Sequence, residues 1–348
     1  MEVNGAVFVG LATLDLAYTV DRYPAEDTKT QAAELFLGAG GPAANAAVAY
    51  AHLAGHSPTL ITALGEHPLA EPIRDDLHRY GVALTDLTPD SETRPPVSSI
   101  VVATASATRT IVSLDGSRAD PRLPAGPAGH AATGTVAPEH AGPGDRFEVA
   151  GPGSDAAAAE LLGNAAIVLV DGHYAEPALR IAAAARAAGI PVVLDAGRWR
   201  PVHAELLPLV DIAICSAAFA PPGVPAGSAA EVFDFLHAAG PAYAAITNGA
   251  EPIRYSFRGT DTGVVSAGRD PGRSPVQGET ACARGEVAVP KVAAVDTLGA
   301  GDILHGAFCH FHALGEAFPV ALRHAAEVAA LSCASVGTRG WMGGQTIL

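Results

Sequence analysis

Six short apolar runs, each closed by Gly, Asp, Ser or Thr or running into them, constrain this chain more than any other feature. They are AVFVG (6–10), TLITALG (59–65), AIVLVDG (166–172), IPVVLD (190–195), DIAICS (211–216) and YAAITNG (243–249). Runs of this length without strict alternation read as strands buried on both faces. Alanine-rich stretches lie between several of them, as in AEPALRIAAAARAAG (175–189), where small and apolar residues recur at helical spacing until Gly189. Strand, helix and strand in repetition predict an α/β fold: a doubly wound, mostly parallel sheet in three layers.

Two pieces differ in texture. Residues 13–35 and 95–115 mix Thr, Val, Tyr and charges with weak alternation, as in SSIVVATASATRTIVSL, and predict half-exposed antiparallel strands forming a small lid. The core is then 1–12, 36–94 and 116–348. Within it, 119–155 and 259–286 are rich in Gly, Pro, Ala and charge without periodicity and read as long loops or insertions.

Composition narrows the function classes. A formal charge of −15, with lysine only at 29 and 291, leaves no basic stripe for a nucleic-acid backbone or an anionic membrane. Any anionic ligand must be held locally. The four cysteines (215, 282, 309, 333) show no metal-ligand spacing and no disulfide framework, which fits reduced thiols in a cytoplasm. The start of the chain lacks the positive and apolar regions of a signal peptide, and no run of 18 apolar residues occurs.

The segment VAAVDTLGAGDILHGAFCHFHALG (292–315) carries the sharpest chemistry. After Asp302, residues Ile303, Leu304, Ala307, Phe308, Phe311 and Leu314 keep to one helical face, so Gly299, Ala300 and Gly301 sit at the helix start. Free N–H groups and the positive end of the helix dipole suit phosphate oxygens there, and glycine lets the anion come close. Asp302 beside that site can act as a general base, or it can simply cap the helix. A second segment, LGAGGPAANAAVAYAHLAG (37–55), is a glycine turn with Pro42 entering a small-residue helix. Its GxGxxA pattern could pass for a dinucleotide fingerprint, but a lid-like piece separates it from the first strand. Thr247, Asn248 and Gly249 close a predicted strand at the sheet edge where α/β proteins bind ligands.

DTLGAGD (296–302) resembles the signature DTxGAGD of ribokinase-like (PfkB-type) carbohydrate kinases, and the resemblance extends over nearly the whole chain, with some ketohexokinase-like features. It implies a Rossmann-like ribokinase fold and ATP-dependent phosphorylation of a sugar alcohol, with Asp302 as base and 299–301 as anion hole. It implies sugar contacts at Asp15, Gly40, Gly41 and Asn45, and a lid arginine at Arg109. Thr247, Asn248, Gly249 and Ser216 correspond to the nucleotide side, while Asp195 and Arg198 resemble a segment near the phosphates. The implied cofactors are ATP and Mg²⁺ carried mainly by the nucleotide, with room for a monovalent cation. A homodimer through the lid is the implied assembly.

Three positions depart from the family pattern. The N-x-x-E motif is replaced by CSAAFA (215–220), with Ser216 and Phe219 in the Asn and Glu places, and Ala326 stands where Asn or His often flanks adenine. His305, His310, His312 and Cys309 share one helix, but only His305 and Cys309 share a face, which argues against a metal site. A nucleoside kinase of the same fold, or a catalytically silent sugar- or nucleotide-binding protein, are the alternative readings.

Overall fold

The computed structural model describes residues 5–114, 116, 119–124, 155–225, 227–259 and 282–343. Its strands are β1 (Gly5–Val9), β2 (Thr13–Val20), β3 (Glu34–Gly40), β4 (Thr59–Thr62), β5 (Ala83–Asp86), β6 (Val97–Ala103), β7 (Thr108–Ser113), β8 (Ala165–Val170), β9 (Val192–Ala196), β10 (Ile212–Ser216), β11 (Tyr243–Asn248), β12 (Glu251–Arg258) and β13 (Cys282–Val287). Its helices are α1 (Pro42–Ala54), α2 (Glu71–Arg79), α3 (Ala156–Leu162), α4 (Ala175–Ala187), α5 (His203–Leu206), α6 (Ala229–Ala239), α7 (Ala300–Ala313) and α8 (Phe318–Ser332).

Nine of the described strands form one sheet in the order β13-β12-β11-β10-β9-β8-β1-β4-β5. From β11 to β5 every pairing is parallel, and β12 and β13 add an antiparallel edge. Alternation along the middle strands explains why both faces are covered. In β1, Ala6 and Phe8 pack into the core built with α1, α7 and α8, while Val7 and Val9 enter the opposite core with α4 and α6. β8 divides in the same way, Ile167 and Leu169 against Val168 and Val170. Each of the Val, Ile, Leu and Phe side chains contributes about 1.5–3 kcal/mol on burial, so the uninterrupted apolar runs are the imprint of a sheet buried on both sides. All six predicted strands are present, and the three-layer arrangement is the observed one.

A second sheet has the order β3-β2-β6-β7 and forms the small lid. Its outer pairings are antiparallel, and its central pair, β2 with β6, is parallel. β3 continues to Gly40, beyond the predicted limit at 35, and turns directly into α1 through Gly41 at φ 93°. The lid therefore shares a covalent corner with the glycine segment.

The expected loop over 259–286 is corrected at its end, where Cys282–Val287 is a strand whose Cys282 to Val287 pair with Arg258 to Ile253 of β12. The other expected loop is partly tied down: the N–H of Leu123 donates to Glu176 Oε2 at 3.0 Å and Arg180 Nη1 donates to the Leu123 carbonyl at 3.1 Å. The rest of both segments, 125–154 and 260–281, lies outside the described residues.

Candidate active site

The carboxyl ends of the parallel strands, the start of α7 and the inner face of the lid enclose a cleft of about 640 Å³. This is the edge at which open α/β sheets bind ligands. Gly299 caps α7 with φ 68°, and a Cβ there would lie 2.7 Å from Thr338 Cγ2, so only glycine makes this turn without strain. Gly301 is different: a Cβ there would meet nothing within 4 Å, and the residue lines the cleft. The first N–H groups of the helix have no partner within it.

Asp302 sits in the first turn of α7 and lines the cleft. Its Oδ2 accepts a hydrogen bond from Asn45 Nδ2 at 2.8 Å. Removal from water raises the carboxyl pKa above the usual range; Asn45, His305 and Arg109 oppose that rise and Asp171 reinforces it. On the lid side, Asp15 is buried and accepts from Thr13 Oγ1 at 2.6 Å. Burial pushes Asp15 up to about 6 against the hydrogen bonds from Thr13 and Ser98. Gly40 makes room for it, since a Cβ on Gly40 would lie 1.9 Å from Asp15 Oδ2. Gly40 thus serves the carboxylate, and of the glycine pair it is Gly41 that lines the cleft.

His305, one turn after Asp302, bridges the helix start to the sheet. Its Nδ1 lies 2.7 Å from the Gly301 carbonyl and its Nε2 lies 3.1 Å from the Ile214 carbonyl. Asp195 Oδ2 stands 3.4 Å from the same Nδ1. Burial raises Asp195 to about 6, with His305 opposing and Asp302 and Asp171 adding to the rise. In the sequence His305 carried only a structural reading, because nothing in the helical pattern shows what the sheet presents to it.

Other predicted residues divide. Arg109 reaches from β7 across the cleft mouth, its Nη1 donating to Thr297 Oγ1 at 2.6 Å. Thr247 lines the cleft, but Asn248 and Gly249 are exposed beyond it. Ala300 likewise is not part of the cleft wall. Ser216 lines the cleft while its Oγ donates to the Gly197 carbonyl at 2.5 Å and accepts from Ala218 N–H at 3.1 Å, stiffening the end of β10. Arg198 is exposed, whereas Arg200 reaches the cleft and its Nη2 donates to His173 Nε2 at 2.6 Å. Phe219 is buried against Trp199 and His203, and Ala326 is buried in the core shared with α7. Among the described residues no group of three His, Cys, Asp or Glu side chains could hold a metal ion.

Residues 4–125 and 127–342 match the model of the pfkB family carbohydrate kinases. The chain belongs to this family. It is 30% identical to the ketohexokinase of Mus musculus over 115 residues, a match spanning 33% of this chain and only 38% of that relative's length. The ribokinase of Arabidopsis thaliana, solved with ribose and ATP, is similar at TM-score 0.65 and 20% identity, covering 99% of this chain and 100% of that one. The ribokinase of Giardia lamblia matches at TM-score 0.67 and 15% identity, covering 97% and 96%. The fructokinase of Xylella fastidiosa, solved with bound ATP, matches at TM-score 0.63 and 18% identity, covering 97% and 94%. Likeness at these identities identifies the ribokinase fold.

Proposed function

We propose that the chain transfers the γ-phosphoryl group of ATP to an alcohol of a small fructose- or ribose-like sugar. The observation that carries this is the position of Asp302, held by Asn45 through one carboxylate oxygen at the wall between the lid and the start of α7. The other oxygen takes the hydroxyl proton; the sugar oxygen bonds to the γ-phosphorus as the bond to ADP breaks. The helix start holds phosphate oxygens. Gly301 supports this, because helical glycine costs about 1 kcal/mol relative to alanine and no neighbour demands its small size. Asp15, with Thr13 and Ser98 beside it, suits sugar hydroxyls, while Gly41 offers backbone. Closure of the lid by Arg109 excludes water.

Mg²⁺ would enter on the nucleotide phosphates, where it neutralises charge during transfer; with Phe219 buried, the carboxylate usual at that place is replaced by a ring. Thr247 and Ser216 border the nucleotide end of the cleft. The lid aromatics favour a sugar over a nucleoside. Tyr18 and Tyr23 are exposed and Phe36 packs with Ala17, Ile100, Val102 and Leu298, so no lid ring stacks over the cleft. Exposed Leu35, Leu37 and Val112 on the lid would suit pairing with a second lid. An ADP-release assay with a panel of sugars and nucleosides tests this reading: turnover of a ketose or pentose is expected. Saturable binding without turnover would favour a silent binding protein.

A further inference from the structure

Arg339 follows α8 and is 7% exposed, yet it belongs to no segment that the reaction above uses. Its Nη1 donates to Asn45 Oδ1 and to Thr338 Oγ1, both at 2.9 Å. Its Nη2 donates to the Ala39 carbonyl at 2.9 Å and to Asp76 Oδ2 at 3.1 Å. Asp76 Oδ2 also accepts from the Ala39 N–H at 3.2 Å, and the guanidinium lies over the Tyr80 ring. One side chain thus joins β3, α1 and α2 beneath the cleft.

The chemistry of this contact is directional. A primary amide has a donor end and an acceptor end of nearly the same shape, and either could face Asp302. A guanidinium can only donate, so Asn45 must turn Oδ1 toward Arg339 and Nδ2 toward Asp302. We infer that Arg339 is a positioning residue for the transfer reaction: it fixes the orientation of the Asn45 amide so that Asp302 receives a donor and stays ionised as base. The inference rests on the phosphotransferase reading and adds to it the device that sets the working state of the base.

Without Arg339, Asn45 can offer its oxygen to Asp302, and an acceptor facing a carboxyl group favours the protonated acid. Other groups act on Asp302 as well: Arg109 from β7, Asp15 from β2, Asp171 and Asp195 at the ends of β8 and β9, and His305 from α7 itself. Arg109, Asp171, Asp195 and His305 form a constant background when Arg339 alone is changed, whereas Asp15 is held lower by the Arg339 charge; losing that charge leaves Asp15 less ionised and so pulls Asp302 down, opposite to the shift expected through Asn45.

The test is the pH dependence of kcat/KM for ATP with D-fructose and with D-ribose, in the wild type, Arg339→Met, Asn45→Ala and the double variant. Arg339→Met is expected to move the acid limb up by about one pH unit. Asn45→Ala should move it similarly, and adding Arg339→Met to Asn45→Ala should move it no further. Should Arg339→Met fail to fold because Asp76 is left unpaired, the same comparison is made in an Asp76→Asn background, which removes both charges together. A uniform loss of rate with the limb unmoved, or shifts that add in the double variant, would overturn the inference. A wild type that turns over neither sugar would instead count against the phosphotransferase reading on which it rests.

Discussion

Arg109 on lid strand β7 and Thr297 in the loop before α7 are joined by a 2.6 Å hydrogen bond between parts of the chain 188 residues apart. The lid is thereby latched to the segment that carries Asp302. Arg109→Ala should lower kcat/KM about tenfold to a hundredfold, the scale of one charge-assisted contact, with Arg109→Lys recovering only part. Steady-state kinetics on the three proteins decides it.

Gly301→Ala separates stability from function. Space for a methyl group exists and alanine is the better helix former, so the thermal midpoint should hold or rise. If phosphate oxygens approach this backbone, kcat should fall about a hundredfold. Scanning calorimetry and turnover measured on the same preparation give both answers.

Gly40→Ala acts on the sugar side. The new Cβ would fall on the Asp15 carboxylate and push it off its hydrogen bond from Thr13 toward the cleft that it lines. KM for the sugar should rise at least tenfold while KM for ATP changes little. Equal rises in both would show that the lid corner as a whole had moved.

Asp15 also predicts a pH dependence of stability. Its folded-state pKa is raised to about 6, so between about pH 4 and 6 the folded protein binds more protons than the unfolded chain and stability falls as pH rises. Asp15→Asn should relieve this cost, ~3 kcal/mol at pH 7.5, with the difference from wild type shrinking toward zero below about pH 4. Thermal melts across that range check the sign.

Much of the fold was legible because its strands are buried on both faces and therefore spelled in unbroken apolar residues. β5 and β12 escaped notice for the complementary reason. β5 is a four-residue edge strand, and β12, EPIRYSFR, is an antiparallel strand near the edge whose alternation is diluted by Pro252 and two arginines. Asp302 and its glycines were visible as a local motif, since the helix start and the residues it serves are contiguous. Arg339, Asp76 and His305 were not, because their partners are Asn45, Ala39 and Ile214, brought near only by tertiary packing. The same limit applies to Asn248 and Gly249, where a strand end located the turn but not which of its residues faces the cleft.

The most direct measurement is turnover of Asp302→Asn with ATP and the sugar accepted by the wild type, alongside calorimetric titration of the same ligands. An amide keeps the size and the Asn45 contact but cannot take the hydroxyl proton. The expected result is a fall in kcat of at least ~10²–10⁴ with little change in KM and with binding retained. Near-wild-type turnover by Asp302→Asn would contradict it.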